Sequence, residues 1–261
     1  AEMADDELYK TPRFTPVCAL DSKEAFQGLT AKEKLYAYHL STGSWAGSLT
    51  CLVQTSPESP RLFQLLYRLF ASDNLAVLED KASKSGVTGE QWQDFLQYCS
   101  CFLGNMGNYL SFGDTKLVPR CSSSTIRSIV AGSSNSDDLL KAWDSIADDI
   151  YDLSPSKRQL GLDGKGMSTY YSADITTEEI KLVQAFLGEQ KLGDQAYNTR
   201  LFKKSLPDKS VVYELAIASA EAKPRVSHVF QSDQKSINID VIYGDHSPFM
   251  ARLADCIEKA K

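Results

Sequence analysis

"SVVYELAIASAEAKPRVSHVFQSDQKSINIDVIYG", residues 210–244, decides the fold class. Three runs within it, SVVYELAIAS (210–219), RVSHVFQS (225–232) and SINIDVIYG (236–244), cluster or alternate β-branched and aromatic residues. That pattern suits a pleated, half-buried surface and predicts strands. Upstream, GMSTYYSAD (166–174) and AYNTRLFKK (196–204) read as two further strands. They flank a helix over 176–190 that Thr176 caps, with Glu179 at the third position of a capping box.

Before Ser154-Pro155 the spacing is helical instead. A helix over 31–53 opens on Thr30 and Glu33, again as a capping box, and carries Leu35, Tyr38, His39, Leu49, Leu52 and Val53. A second follows Ser56-Pro57-Glu58, with Leu62, Leu65, Leu66, Leu69 and Phe70 in one stripe. A third, 89–103, places Trp92, Phe95, Leu96, Cys99 and Phe102 on one face. SDDLLKAWDSIADDIYDL (136–153) reads as a fourth, with Leu139, Leu140, Trp143, Ile146, Ala147 and Ile150 inward and its aspartates solvated. The last stretch, SPFMARLADCIEKAK (247–261), spaces Phe249, Leu253 and Ile257 four apart and reads as a helix whose abrupt end suggests that the sequence was cut or that the helix normally continues. Helices followed by mixed strands predict an α+β fold: a helical N-terminal half packed on a small, mixed, barrel-like sheet. The expected division is a mainly helical 1–153 and a strand-rich 154–261, parts of one lobe of a two-lobe protein.

Composition excludes several classes. A chain of 261 residues, 43% hydrophobic, buries a sizeable core without disulfide staples. A formal charge of −6, with scattered Lys and Arg, argues against nucleic acid or an anionic membrane surface as partner. No run approaches the ~18 apolar residues of a membrane span. The six cysteines, the absence of a sequon and the acidic Asp5-Asp6-Glu7 predict a reducing, cytoplasmic home. Ala1-Glu2 reads as an addition before a natural start at Met3.

Complete catalytic motifs are missing. None of His39, His228 and His246 precedes a Glu, so there is no His-Glu-x-x-His helix. His39 is expected to be a packed, hydrogen-bonded core residue, and His246 part of a turn. Cys99 and Cys101 are two apart on a helix, roughly 200° around its axis, so they read as structural thiols. GLDGKG (161–166) departs from phosphate-loop spacing and reads as a turn. GNMGNYLSFGDTKLVPR (104–120) is different. Gly104 and Gly107 suggest a helix stop, while Asn105 and Asn108 tolerate left-handed backbone and bond their own main chain. Ser111 beside Phe112 could grip an extended peptide by one polar contact and one apolar wall. The residues alone favour the alternative, in which Phe112 plugs the core while the glycines shape a tight connection.

The motifs NMGNYLSFGDTKLVP (105–119), LYAYHLS (35–41), QTSPESP (54–60), STYYS (168–172) and YNTRLFK (197–203) together resemble the N-terminal portion of dipeptidyl peptidase III. That family comprises cytosolic zinc metallopeptidases that remove dipeptides from the N-termini of oligopeptides. The resemblance runs from about Phe14 to Lys261. It implies a large part of the lower lobe, with a small β-barrel core, in a protein whose other, helical lobe holds the zinc. It implies that Ser111 and Phe112 lie beside bound peptide, with Asn105, Asn108, Gly113 and Asp114 shaping their loop. STYYS and YNTRLFK would be barrel strands. No zinc ligand or catalytic Glu of the family falls within this chain, so zinc is expected only in the full-length protein. The expected partner is an oligopeptide, engaged together with the second lobe, and the chain alone is expected to be inactive. The competing expectation is a short non-catalytic relative serving as a stand-alone peptide or small-ligand module. New chemistry around 104–120 is a third.

Overall fold

A computed structural model describes residues 6–15, 18–193, 199–232 and 235–261. Met3 and residues 196–198 of the first expected strand of the sheet lie outside the described residues. The chain divides into two compact units, each assembled from two separate stretches: Ala1–Cys18 with Thr55–Met167, and Ala19–Gln54 with Ser168–Lys261. Helices and a mixed sheet make the fold α+β.

The first unit is helical: α3 (Ser59–Ser72), α4 (Leu75–Lys84), α5 (Gly89–Asn105), α6 (Ser123–Gly132), α7 (Ser136–Asp144) and α8 (Ala147–Tyr151). Its core forms where apolar stripes meet. Leu62, Leu65, Leu66 and Leu69 of α3, Trp92, Phe95 and Phe102 of α5, Ile126 and Ile129 of α6, and Trp143 of α7 are all buried. Each such side chain contributes about 1.5–3 kcal/mol. Thr88 caps α5 in a full capping box with Gln91. The helix expected over 136–153 is broken into α7 and α8. Ser145 turns its Oγ back onto the Ala142 carbonyl at 2.8 Å, and the Ile146 amide reaches only to Trp143, a tighter turn. That break drives Ile146 into the core at 1% exposure. The sequence reading also missed α4 and α6, each of 10 residues, whose side-chain caps are Asn74 and Ser122.

The second unit holds α1 (Lys23–Gln27), α2 (Ala31–Thr55, its last residue counted with the first unit), α9 (Thr177–Glu189), strands β1 (Arg200–Ser205), β2 (Val211–Ala218), β3 (Lys223–Gln231) and β4 (Ser236–Gly244), and α10 (Met250–Ala260). The sheet order is β1-β2-β4-β3, antiparallel except for the parallel β2–β4 pair. Among the described residues β1 and β3 are its edges, so the sheet is open, not barrel-like. The expected strand at 166–174 is not one. Tyr171 makes a single parallel bridge to Leu201 beside β1, and the Ser172 and Leu201 amides complete that contact.

Register sets which face is apolar. Leu201, Tyr213, Leu215, Ile237, Ile239 and Phe230 are buried together with Ile180, Val183 and Phe186 of α9. Phe186 meets the Phe230 ring edge-on at 5.8 Å. The expected capping boxes are both present, at Thr30–Glu33 and Thr176–Glu179. On α2 the buried face is Gly43, Ala46, Thr50 and Leu52, whereas Leu35 and Tyr38 are exposed. The Leu253 and Cys256 side chains of α10 pack against this face: a Cβ on Gly43 would sit 3.5 Å from Cys256 Cβ and 3.9 Å from Leu253 Cδ1.

Candidate functional site: the hairpin over residues 109–116

Residues 104–120 form a hairpin held from below by a buried polar network, all within the first unit. The α5 helix runs through Gly104 and ends at Asn105; the stop is Met106, in left-handed conformation at φ 55°. Gly107 then fits because it lacks a side chain: a Cβ there would lie 2.6 Å from Thr55 Cγ2 and 2.8 Å from its Oγ1. Tyr109 pairs antiparallel with Lys116, and the Leu110 amide donates to the Thr115 carbonyl at 2.8 Å. The chain turns through 111–114 with Gly113 at φ 103° and Asp114 at φ 60°.

The six sequence-predicted site residues separate into two layers. Ser111, Phe112, Gly113 and Asp114 stand at the exposed tip, and Phe112 is 94% exposed. Phe112 therefore plugs no core. Asn105 holds the tip: its Nδ2 donates to the Gly107 and Tyr109 carbonyls at 2.9 and 2.6 Å. Its Oδ1 accepts from the Ser111 amide at 3.0 Å and the Ser111 hydroxyl at 3.1 Å. Asn108 does something other than expected. It is fully buried, and its side chain bonds not its own main chain but neighbouring helices. Its Oδ1 accepts from Tyr98 Oη at 2.7 Å and its Nδ2 donates to Glu58 at 3.2 Å, while its amide donates to Ser59 Oγ at 3.0 Å. The left-handed residues are Met106, Gly113 and Asp114, not either Asn.

Lys116 is the residue that sequence reading missed. Only 1% exposed, it donates to the Asp149 and Asp152 carbonyls, both at 2.7 Å, at the C-terminal end of α8. Those carbonyls are orphaned by the helix end, and a cation complements the negative pole there. Its Nζ also lies 5.5 Å from the centre of the Tyr109 ring, whose hydroxyl donates to the Lys157 carbonyl at 2.6 Å. Burial pulls the Lys116 pKa down, opposed by the charges of Glu58, Asp152 and Asp149. Burial likewise raises the Tyr98 and Tyr109 phenols, keeping both neutral donors. Nothing in the local sequence distinguishes Lys116 from a surface lysine. The GLDGKG segment is the turn expected, with Asp163 and Gly164 at positive φ, and its flank supports the hairpin: the Leu160 amide donates to the Asp114 carbonyl at 2.8 Å.

Among the described residues no group of three or more His, Cys, Asp or Glu is arranged to hold a metal ion. His39 is half-buried on α2 with its ring 5.2 Å from Tyr38, not a core residue. His228 packs 5.1 Å from the Phe186 ring, and His246 lies beside Gly244. The donors among the described residues do not fit a zinc site. None of the six cysteines is in a disulfide; Cys99 is buried, and Cys101 is half-buried with its Sγ 3.6 Å from Thr15 Oγ1. No helix among the described residues is long and apolar enough to cross a membrane.

Comparison with known proteins shows what the chain is similar to. Residues 142–261 match the profile of Peptidase family M49. Across nearly its whole length the chain is similar to dipeptidyl peptidase 3. It is 36% identical over 279 residues to the Nematostella vectensis protein, covering 99% of this chain and 38% of that one. To the Homo sapiens protein it is 38% identical over 269 residues, covering 99% and 36%. To that of Dictyostelium discoideum it is 40% identical over 255 residues, covering 97% and 35%. These findings make the chain similar to peptidase family M49 over residues 142–261 and to dipeptidyl peptidase 3 over nearly its whole length, and bear out the resemblance read from its motifs. The chain spans little more than a third of the length of these relatives.

Proposed function

We propose that this chain is a peptide-binding part of the lower lobe of a dipeptidyl peptidase III-like zinc aminopeptidase, located in the cytoplasm. The helical 1–153 and the strand-rich 154–261 both belong to that lobe, and the zinc that polarises the scissile carbonyl and activates water is supplied by the other. The task of this chain is then to bind and orient an extended oligopeptide, by backbone pairing along a strand edge and by the hairpin tip. Ser111 and Phe112 contact the peptide. Asn105 and Asn108 hold the tip in place, while Gly113 and Asp114 make its turn.

The observation that carries this reading is the exposure of Phe112 at 94% on a hairpin whose base is fully bonded. A large apolar ring gains nothing for stability there, yet the network beneath keeps it in one place, as preorganised binding requires. The test is Phe112→Ala in the full-length gene product. Peptide affinity should fall about tenfold or more, with a melting temperature within about 2 °C of wild type. Unchanged affinity would remove Phe112 from the binding surface.

A further inference from the structure

The Ser111 hydroxyl has a fixed polarity, and Asn105 sets it. A side-chain amide has one donor end and one acceptor end. The Asn105 end lying 2.9 and 2.6 Å from the Gly107 and Tyr109 carbonyls must be the NH2, because carbonyl oxygens only accept. The other end is therefore Oδ1, and it can only accept. It faces Ser111, 3.0 Å from the amide nitrogen and 3.1 Å from Oγ. A serine hydroxyl carries a single proton, so here that proton points inward to Asn105. What Ser111 presents to solvent is lone pairs.

On the peptide-binding reading above, on which this rests, we infer that Ser111 is a specificity-determining residue that accepts a backbone N–H of the bound peptide and discriminates against a carbonyl at that position. Asn105 is the positioning residue that enforces the choice. A ligand carbonyl at Ser111 would need the hydroxyl proton, and taking it would strip Oδ1 of one of its two donors. An N–H needs no rearrangement. The exposed Phe112 ring supplies the adjoining apolar wall, so the tip reads one N–H and one side chain of an extended strand.

The experiment is a backbone-ester scan. Alanine hexapeptides carrying one Phe, and analogues in which each peptide NH in turn is replaced by O, are titrated by calorimetry. The protein is the full-length gene product with its metal chelated, so that bound peptide stays intact. One ester position should weaken binding to wild type roughly tenfold, and that penalty should vanish in Ser111→Ala and persist in Ser111→Thr. In Asn105→Ala, where the hydroxyl is released to rotate, affinity should fall as the tip loses its hold, and the penalty at that position, measured against the same variant's binding of the parent peptide, should shrink; an undiminished penalty would show that Asn105 does not set the polarity. If the peptides bind but the ester profile is the same in wild type and Ser111→Ala, the polarity assignment is wrong and peptide binding stands. If no hexapeptide binds at all, the peptide reading falls and this inference with it.

Discussion

At the residue scale, single atoms decide how the hairpin sits. Gly107 has no room for a methyl group, since Thr55 would meet it at 2.6 Å with its own Cβ only 3.0 Å away. Gly107→Ala should therefore destabilise the protein by about 1–3 kcal/mol, read as a drop in melting temperature. Thr55→Ala should recover part of that loss, so a double-mutant cycle should show positive coupling; strict additivity would disprove the contact. The glycine was legible in the sequence, as a helix stop with backbone freedom. Its actual role, close approach to a side chain 52 positions earlier, was not. The same holds for Lys116, which reads as surface polar and is buried because two orphaned carbonyls at the end of α8 need its protons.

At the scale of elements, the capping boxes show how a local signal acquires a tertiary function. Thr176 and Glu179 start α9 as their spacing predicts, but Glu179 also ties the helix to the sheet. Its Oε1 accepts from Tyr213 Oη at 2.6 Å and pairs with Lys203 Nζ at 3.0 Å. Burial pushes this carboxyl up, and the Tyr213 hydroxyl, the Thr176 amide and Lys203 outweigh it, holding the pKa at about 2 against an ordinary 4.5. A depressed folded-state pKa means a stabilising contribution that is complete above pH 4.5 and lost as pH falls toward 2. That contribution is at most about 3 kcal/mol. Urea titrations at pH 7 and pH 3 should show Glu179→Gln losing less stability between the two pH values than wild type; equal losses would remove Glu179 from the acid limb. Helices with long apolar stripes and strands with β-branched runs were readable from spacing. The break at Ser145 and the lone bridge at Tyr171 were not, because apolar periodicity continues straight through both.

At the scale of the whole molecule, the proposal is that this chain binds but does not cut. The isolated 261-residue chain should release no dipeptide from a chromogenic dipeptidyl substrate, with or without added zinc; release above background would overturn it. The likeness to dipeptidyl peptidase 3, the α+β class, most helices and all four strands of the sheet could be read from residue order alone. They depend on periodicity, caps and motifs, which are properties of neighbours in the chain. The layering of the hairpin, with Phe112 and Ser111 outside and Asn108 and Lys116 inside, could not. Neither could the assembly of each unit from two separated stretches, nor the openness of the sheet. These features arise where residues far apart in sequence compete for the same buried donors, acceptors and space, and no local pattern records the outcome of that competition.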